Sequence, residues 1–596
     1  MNCPYQNRSM LTDMISDIIR KIQNLNRRQR KFLQFLSLVG FTLCLIAAIY
    51  AFSTYQNFAP PSPLPKPPVV AEASSSDAEI QEGFKFKINP KNHQNCGSPS
   101  GGPTDNPIAA KYGNNAYPWT EAIKWDCVYN IQDFSGATMG DRFQAARDAA
   151  AAGGVIYFPA GTYRFNDNLY LNDGIVLRGE TPAVTDAKSQ DYSPPSQLVF
   201  PKYEPRLSGN GTPNETAFKK ILTANSDRDS NLGLINLDIN RAAISLVGNS
   251  ETGNNKNIIV FGIGSNNVAE PDPNVPDLSF QAAWMRFSYR FGTNIKLQAK
   301  ENILVANNRI NDAPTDNYEQ PGYQVRSRDQ KSVVTYQDGS KVPFNYTDHY
   351  GIVVNRSKSG GFQLAATPNS EPGLFRKGLV IRDNWVYHTM RVGIHASGDG
   401  LVIQDNQITD NPRKTSWVHP TGLREPRGAD TFENRAIDWS GWNVKVEGNE
   451  YEVYRHRILD SKYFSTDGEG ILIQECCGGT KVNGATIKNN QGNGYIGFYK
   501  NQDIKNVIIE GNQLSDNITN TPLIYVVADT NNRPYQMEDV TVENNTVEGS
   551  ILVKASAGGQ RNLIKNNQGN NRGNIEASCH VNVRGNSGFE EKPCLQ

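Results

Sequence analysis

The sequence predicts an all-β fold, a solenoid of stacked parallel strands (a parallel β-helix) with an N-terminal capping helix, preceded by a single transmembrane helix. Three observations carry this. First, an apolar residue stands three positions before an asparagine at Val305/Asn308, Ile381/Asn384, Ile403/Asn406, Val446/Asn449, Ile487/Asn490, Ile509/Asn512, Val542/Asn545 and Ile564/Asn567. A spacing near 22 residues recurs between successive copies, with insertions in the longer gaps, and a repeat of that length is one coil of a solenoid. Second, the pairs Gly351-Ile352, Gly393-Ile394, Ala436-Ile437, Gly470-Ile471 and Tyr495-Ile496 open successive short apolar runs and can be laid over one another as equivalent positions of stacked strands. Third, residues 32–52 contain no charge and are long enough, at about 1.5 Å per helical residue, to span the roughly 30 Å of a bilayer core.

In chain order, residues 1–31 form an amphipathic, basic segment ending in Arg27, Arg28, Arg30 and Lys31. No further Lys or Arg occurs until Lys66, so the positive-inside rule puts the N-terminus in the cytoplasm and everything after the 32–52 anchor outside it, in the periplasm or at the cell surface. Residues 53–79, rich in proline and then serine, read as an extended spacer, and 80–127 as an N-terminal extension. Six cysteines fall outside the membrane, where an oxidising compartment allows pairing; spacing suggests Cys96 with Cys127 and Cys579 with Cys594. Cys476 and Cys477 are adjacent, as a vicinal disulfide or two thiols.

A helix is expected over 141–152, with Asp141 near its start and Gly153-Gly154 as its stop. Strands follow in 155–165 and 169–180, turning at Pro159-Ala160-Gly161 and Asn172-Asp173-Gly174. This succession, a helix, then GGVIYFPAGTYRF, then LNDGIVLRGE, resembles the opening of proteins in the pectate lyase superfamily, over roughly residues 128–180. The resemblance implies a right-handed parallel β-helix, here spanning 128–596. The paired acidic motif that often precedes this helix in the family is absent, and GATMGD stands in its place.

The repeated asparagines are expected to form a ladder, each amide bonding the next coil, with Ile381, Ile403, Ile487 and Ile509 in one interior row. Polar inserts interrupt the repeat at about 181–220, 312–345 and 411–433 and are expected to wall a groove. The third carries Trp417, His419, Arg424 and Arg427.

If the isoleucine of each small-apolar pair points inward, alternation puts His349, Val353 and Asn355, then Arg391, His395 and Ser397, then Asn434, Asp438 and Ser440, then Leu472 and Gln474, then Gly497 and Tyr499 on one outer face. Asp467 and Glu469 stand just before the fourth of these strands. Arg391, His395, Asp438, Asp467 and Glu469 are therefore the candidate catalytic residues, and His349, Trp439, Gln474, Tyr499 and Lys500 the candidate substrate-binding ones. Two carboxylates flanking a glycosidic bond suit hydrolysis. A base with a cation to neutralise a uronate suits β-elimination, and the cations on this face tip the expectation toward elimination of an acidic polysaccharide. Hydrolysis and a non-catalytic glycan-binding or cell-envelope role are the alternatives. Calcium held by acidic side chains is compatible with the architecture, but no dense acidic loop fixes a site and no metal is assigned. The 60 basic and 60 acidic residues cancel, so the global field used for non-specific nucleic-acid binding is lacking, and no nucleic-acid partner is expected.

Overall fold

The computed structural model describes residues 96, 101–202, 219–248, 255–268, 292–311, 333–335, 341–343, 349–354, 377–387, 392–410, 435–453, 469–473, 482–498, 503–515, 522–528, 535–555 and 557–595, all within one compact unit, His93–Gln596. Among them 38 strands join one continuous sheet in which every pairing is parallel. The pairings run as three ladders, each coil contributing a strand to each, which is a parallel β-helix. The 13-residue strand Arg435–Glu447 bends through a corner, pairing with Val392–Asp399 at its start and Val402–Gln404 near its end. A short antiparallel hairpin, Val333–Thr335 with Val342 opposite Val334, lies in the second insert.

The interior rows follow the sequence pattern. Val305 stacks on Ile381, Ile381 on Ile403, Ile403 on Val446, Val446 on Ile487 and Ile487 on Ile509, all fully buried. Each such side chain contributes roughly 1.5–3 kcal/mol of burial. Beside this row runs the asparagine ladder. Asn406 Nδ2 donates to Asn449 Oδ1 at 2.9 Å and to the Ile381 carbonyl at 3.0 Å, while its backbone N–H also reaches Asn449 Oδ1 at 3.0 Å. The pattern continues unbroken from Asn308 to Asn567 and then one coil further, to Asn586, at 2.9 Å. Each residue before a ladder asparagine is left-handed: Asn307, Asp383, Asp405, Gly448, Asn489, Gly511, Asn544, Asn566 and Gly585. Only Gly, Asn and Asp adopt that conformation cheaply, so NN, DN and GN pairs mark the turn.

The helix runs Met139–Ala149, starting two residues before the expected position because Thr138, not Asp141, is the N-cap. Asp141 closes a capping box: Thr138 Oγ1 accepts from the Asp141 N–H at 3.1 Å and Asp141 Oδ2 accepts from the Thr138 N–H at 2.9 Å. Phe143 and Ala146 turn into the core, Phe143 edge-on to Phe165 at 6.2 Å, so the helix covers the open first coil. Both expected disulfides form, Cys96–Cys127 with Cα atoms 5.2 Å apart and Cys579–Cys594 at 4.8 Å. The second ties the C-terminal return, where Leu595 bridges Ser578, onto the last coil.

The described part of the first insert bonds the turns joining two other ladders: Ala187 N–H to Asn307 Oδ1 at 3.2 Å, Arg309 Nη1 to the Gln190 carbonyl at 2.9 Å, and Lys188 Nζ to the Asp405 carbonyl at 2.9 Å. No helix among the described residues is long and apolar enough to cross a membrane, and 32–52 lies outside them, as do Cys476, Cys477 and the third insert.

Candidate active site

The isoleucines 352, 394, 437, 471 and 496 stack in register on five consecutive coils. The residue before Ile394, Ile437 and Ile471 is small because it too turns inward at a corner. A Cβ on Gly393 would lie 2.7 Å from Ile408 Cγ2, and one on Gly470 would lie 2.6 Å from the Tyr451 ring. Ala436 and Ile437 are accordingly both in the core. Two inward residues in succession break the alternation, so the outward residue on the N-terminal side comes three positions, not two, before the next outward one. That places Arg435 beside Asp438, and it brings Tyr350, Val392, Arg435, Glu469 and Tyr495 into one column. Tyr495 thus lies opposite Glu469 rather than Gly470, because the Glu469–Ile473 strand carries one extra residue there.

A second column holds Val353, His395, Asp438, Leu472 and Gly497. Between the two columns the titratable groups meet. His395 Nδ1 is 3.2 Å from Asp438 Oδ2, and Arg435 Nη1 donates to the same oxygen at 3.2 Å. Arg435 Nε donates to Glu469 Oε2, and the Tyr495 hydroxyl donates to Glu469 Oε1 at 2.9 Å. The Tyr350 ring stands edge-on to the His395 ring at 5.6 Å and packs with Val353 and Val392 in a small apolar cluster of its own. One guanidinium is therefore held between two carboxylates, one of which also holds an imidazole.

Three of the ten expected residues, His395, Asp438 and Glu469, come together here. Glu469 opens its strand rather than sitting in a preceding loop. The face is not open: His395 and Asp438 are 0% exposed, and Ser397 and Ser440 are also buried. One expectation is corrected. Trp439 is in the interior, edge-to-face with Phe498 at 5.9 Å, and cannot stack on a sugar; lying between outward Asp438 and Ser440, it points the other way. Leu472 keeps the expected register opposite Asp438 but is fully buried. His349 begins the strand His349–Val354, opposite Gly292. Asn355, Arg391, Asn434, Asp467, Gln474, Tyr499 and Lys500 lie outside the described residues. Arg435 and Tyr495 were legible only as the residues before Ala436-Ile437 and Ile496, and strict alternation discards Arg435. The only group of metal-ligand type among the described residues is Cys96, Asp126 and Cys127, whose two sulfurs are joined to each other.

The architecture is that of a parallel β-helix. No family model and no curated protein matches the chain. Solved structures that superpose on it include the catalytic unit of a GH87 α-1,3-glucanase from Streptomyces thermodiastaticus, with 14% identity and a TM-score of 0.36 over 78% of this chain and 68% of that one. The A-module of the mannuronan C-5 epimerase AlgE6 from Azotobacter vinelandii has 13% identity and a TM-score of 0.34, over 78% and 99%. The adhesin PfbA of Streptococcus pneumoniae has 11% identity and a TM-score of 0.34, over 76% and 90%. At these identities and scores none of them says what this chain does.

Proposed function

We propose that the chain is a polysaccharide-cleaving enzyme whose acid–base centre is formed by His395, Asp438, Arg435 and Glu469. The observation that carries this is the convergence of five titratable side chains from four coils, Tyr495 included, on one buried spot of a solenoid that elsewhere satisfies its buried turns with neutral asparagines. Buried charges cost stability relative to apolar packing and concentrate where proton transfer is needed. Arg435 is engaged by two carboxylates, so among the described residues the cluster sets one guanidinium against two carboxylates. Elimination from a uronate requires a cation to neutralise the substrate carboxylate. Among the described residues the cluster's one guanidinium is already engaged, which supports hydrolysis of an uncharged glycan over the elimination expected from the count of cations in the sequence.

In that reaction one group gives a proton to the glycosidic oxygen as the C–O bond breaks, and a carboxylate either activates water or attacks the anomeric carbon. His395, steered by Asp438, is the proton carrier; Glu469, held by Arg435 and the Tyr495 hydroxyl, is the carboxylate. The disulfides and the charge-free stretch at 32–52 support a membrane-tethered, extracytoplasmic enzyme. A second reading, a non-catalytic structural β-helix, is favoured by the complete burial of His395 and Asp438.

The test is incubation of the protein with a panel of neutral and acidic polysaccharides, following reducing ends and the absorbance of unsaturated products. Reducing ends without unsaturation are expected. Both signals together mean a lyase, and neither signal on any member of the panel removes the enzyme reading. On a cleaved substrate, Asp438→Asn and Glu469→Gln should each lower turnover by roughly 10²–10⁴-fold while the thermal melt stays cooperative.

A further inference from the structure

Resting on the reading of this face as the polysaccharide site, we infer that a third, neutral column beside the acid–base cluster is a binding subsite for the hydroxyl or acetamido groups of an uncharged glycan lying along the solenoid axis, with Gln298 as its distal anchor.

Gln298 ends the strand Gly292–Gln298 and projects outward, since its neighbours Leu297 and Ala299 both belong to the interior core. It is 1% exposed, yet neither its amide nitrogen nor its amide oxygen meets a hydrogen-bond partner among the described residues. An amide so placed loses its bonds to water and gains nothing in the fold. The asparagine ladder shows that this coil has a ready means of satisfying buried amides, and Gln298 lies outside it. The register Leu297 to Val354 to Ala396 to Trp439 places Gln298 in the column that carries Ser397 and Ser440, two and three coils further on. Ser440 repeats the observation, for its hydroxyl is buried and also meets no partner among the described residues.

The geometry relates this column to the chemistry. Ser397 and Ser440 follow His395 and Asp438 by two residues on the same strands, so the neutral column runs parallel to the titratable one about 6–7 Å away. Coils advance by about 4.8 Å, close to the length of one pyranose unit in a chain. A glycan laid along the axis with its scissile bond at His395 and Asp438 therefore presents one sugar edge to each coil, and meets Gln298 roughly two to three sugars away. Amide and hydroxyl groups recognise hydroxyl and acetamido groups; from Val247 to Ser440 the described members of this column, Val247, Gln298, Ser397 and Ser440, carry no charge to pair with a uronate, and Lys296, the cation two residues before Gln298 in the titratable column, is itself engaged. Buried polar groups that only a substrate satisfies discriminate strongly against ligands lacking the matching group.

The experiment measures equilibrium binding, by calorimetry, of cellohexaose, maltohexaose, laminarihexaose, chitohexaose and hexagalacturonate, with the disaccharide of each, to the full-length parent, Gln298→Met and Ser440→Ala. A neutral hexasaccharide should bind more tightly than its disaccharide and than hexagalacturonate. Gln298→Met should weaken the hexasaccharide by about tenfold, the worth of one buried hydrogen bond, and leave the disaccharide within about twofold. The same variant should melt at a higher temperature than the parent, because an unsatisfied buried amide is replaced by a side chain of similar shape. Ser440→Ala, a smaller change, should weaken both hexa- and disaccharide. Unchanged hexasaccharide affinity in Gln298→Met, tighter binding of hexagalacturonate than of every neutral chain, or no binding by any neutral hexasaccharide overturns the inference. Binding is read without turnover, so a chain that binds through Gln298 but cleaves nothing keeps the subsite and loses the enzyme, while loss of turnover in Glu469→Gln beside intact binding in Gln298→Met does the reverse.

Discussion

The asparagine ladder and the His395–Asp438–Arg435–Glu469 cluster lie on one scaffold, at the same depth, and solve the burial of polar groups in opposite ways. In the ladder every member is the same residue. An amide both donates and accepts, so Asn449 takes the N–H and Nδ2 of Asn406 on one side and gives to Asn490 Oδ1 on the other, and identical coils satisfy one another indefinitely. The cluster cannot repeat. A carboxylate only accepts and a guanidinium only donates, so five unlike side chains must coincide on particular coils. A structural need in a repeat fold is met by sameness; a buried polar group that departs from it marks work of another kind.

The largest effect that would break this comparison is on the cluster's stability. Arg435→Met leaves two buried carboxylates without their cation and should cost about 3–5 kcal/mol in denaturant unfolding. Adding Asp438→Leu and Glu469→Leu should recover most of it, because apolar packing of that volume needs no partners. A triple variant as unstable as the single one would make the cluster a structural device like the ladder. Next, Asn449→Ala removes the acceptor for both Asn406 groups and should destabilise by about 3 kcal/mol, with turnover per folded molecule unchanged. A fall in turnover without a fall in stability would reverse the two regions' roles.

Asp238 sharpens the contrast as a half-buried carboxyl held by an amide, Asn266 Nδ2 at 2.6 Å, instead of a cation. Burial raises it from the ordinary 3.8 to about 6, against the pull of that hydrogen bond. Its folded value is raised, so its contribution to stability is fully present below the unfolded value and is lost as pH rises through the folded one. Between about pH 4 and pH 7 the parent should lose roughly 2–3 kcal/mol relative to Asp238→Asn, measured by unfolding at each pH. A parallel pH dependence of the two proteins would show the carboxyl to be ordinary. The smallest effect is at the ladder's end. Asn586 has no further asparagine beyond it among the described residues and is only partly buried, so Asn586→Ala should cost about 1 kcal/mol, well below Asn449→Ala. Equal costs would mean that the ladder's contribution comes from local turns and not from stacking.

Much of the fold was legible because its signals are local and repeated. An apolar residue three before an asparagine fixes both the interior row of Ile381, Ile403, Ile487 and Ile509 and the ladder beside it, and the left-handed turn is written in the NN, DN and GN pairs. The site was legible where alternation holds, at His395 and Asp438, which pair across one coil step. It was not legible at Arg435, because the corner at Ala436-Ile437 sends two residues inward together and resets the count. Trp439 was misread for the opposite reason: composition suggested a sugar platform where parity already required an interior residue.

The sequence by itself determined the coil, its period, its ladder and the neighbourhood of the candidate site, since each depends on short-range spacing that recurs often enough to be read. Only the tertiary structure decided which charges meet. The clamp of Arg435 between Asp438 and Glu469, and the lone amide of Gln298, depend on single corners and on the stacking of coils tens of residues apart, and a feature that occurs once leaves no period in the chain.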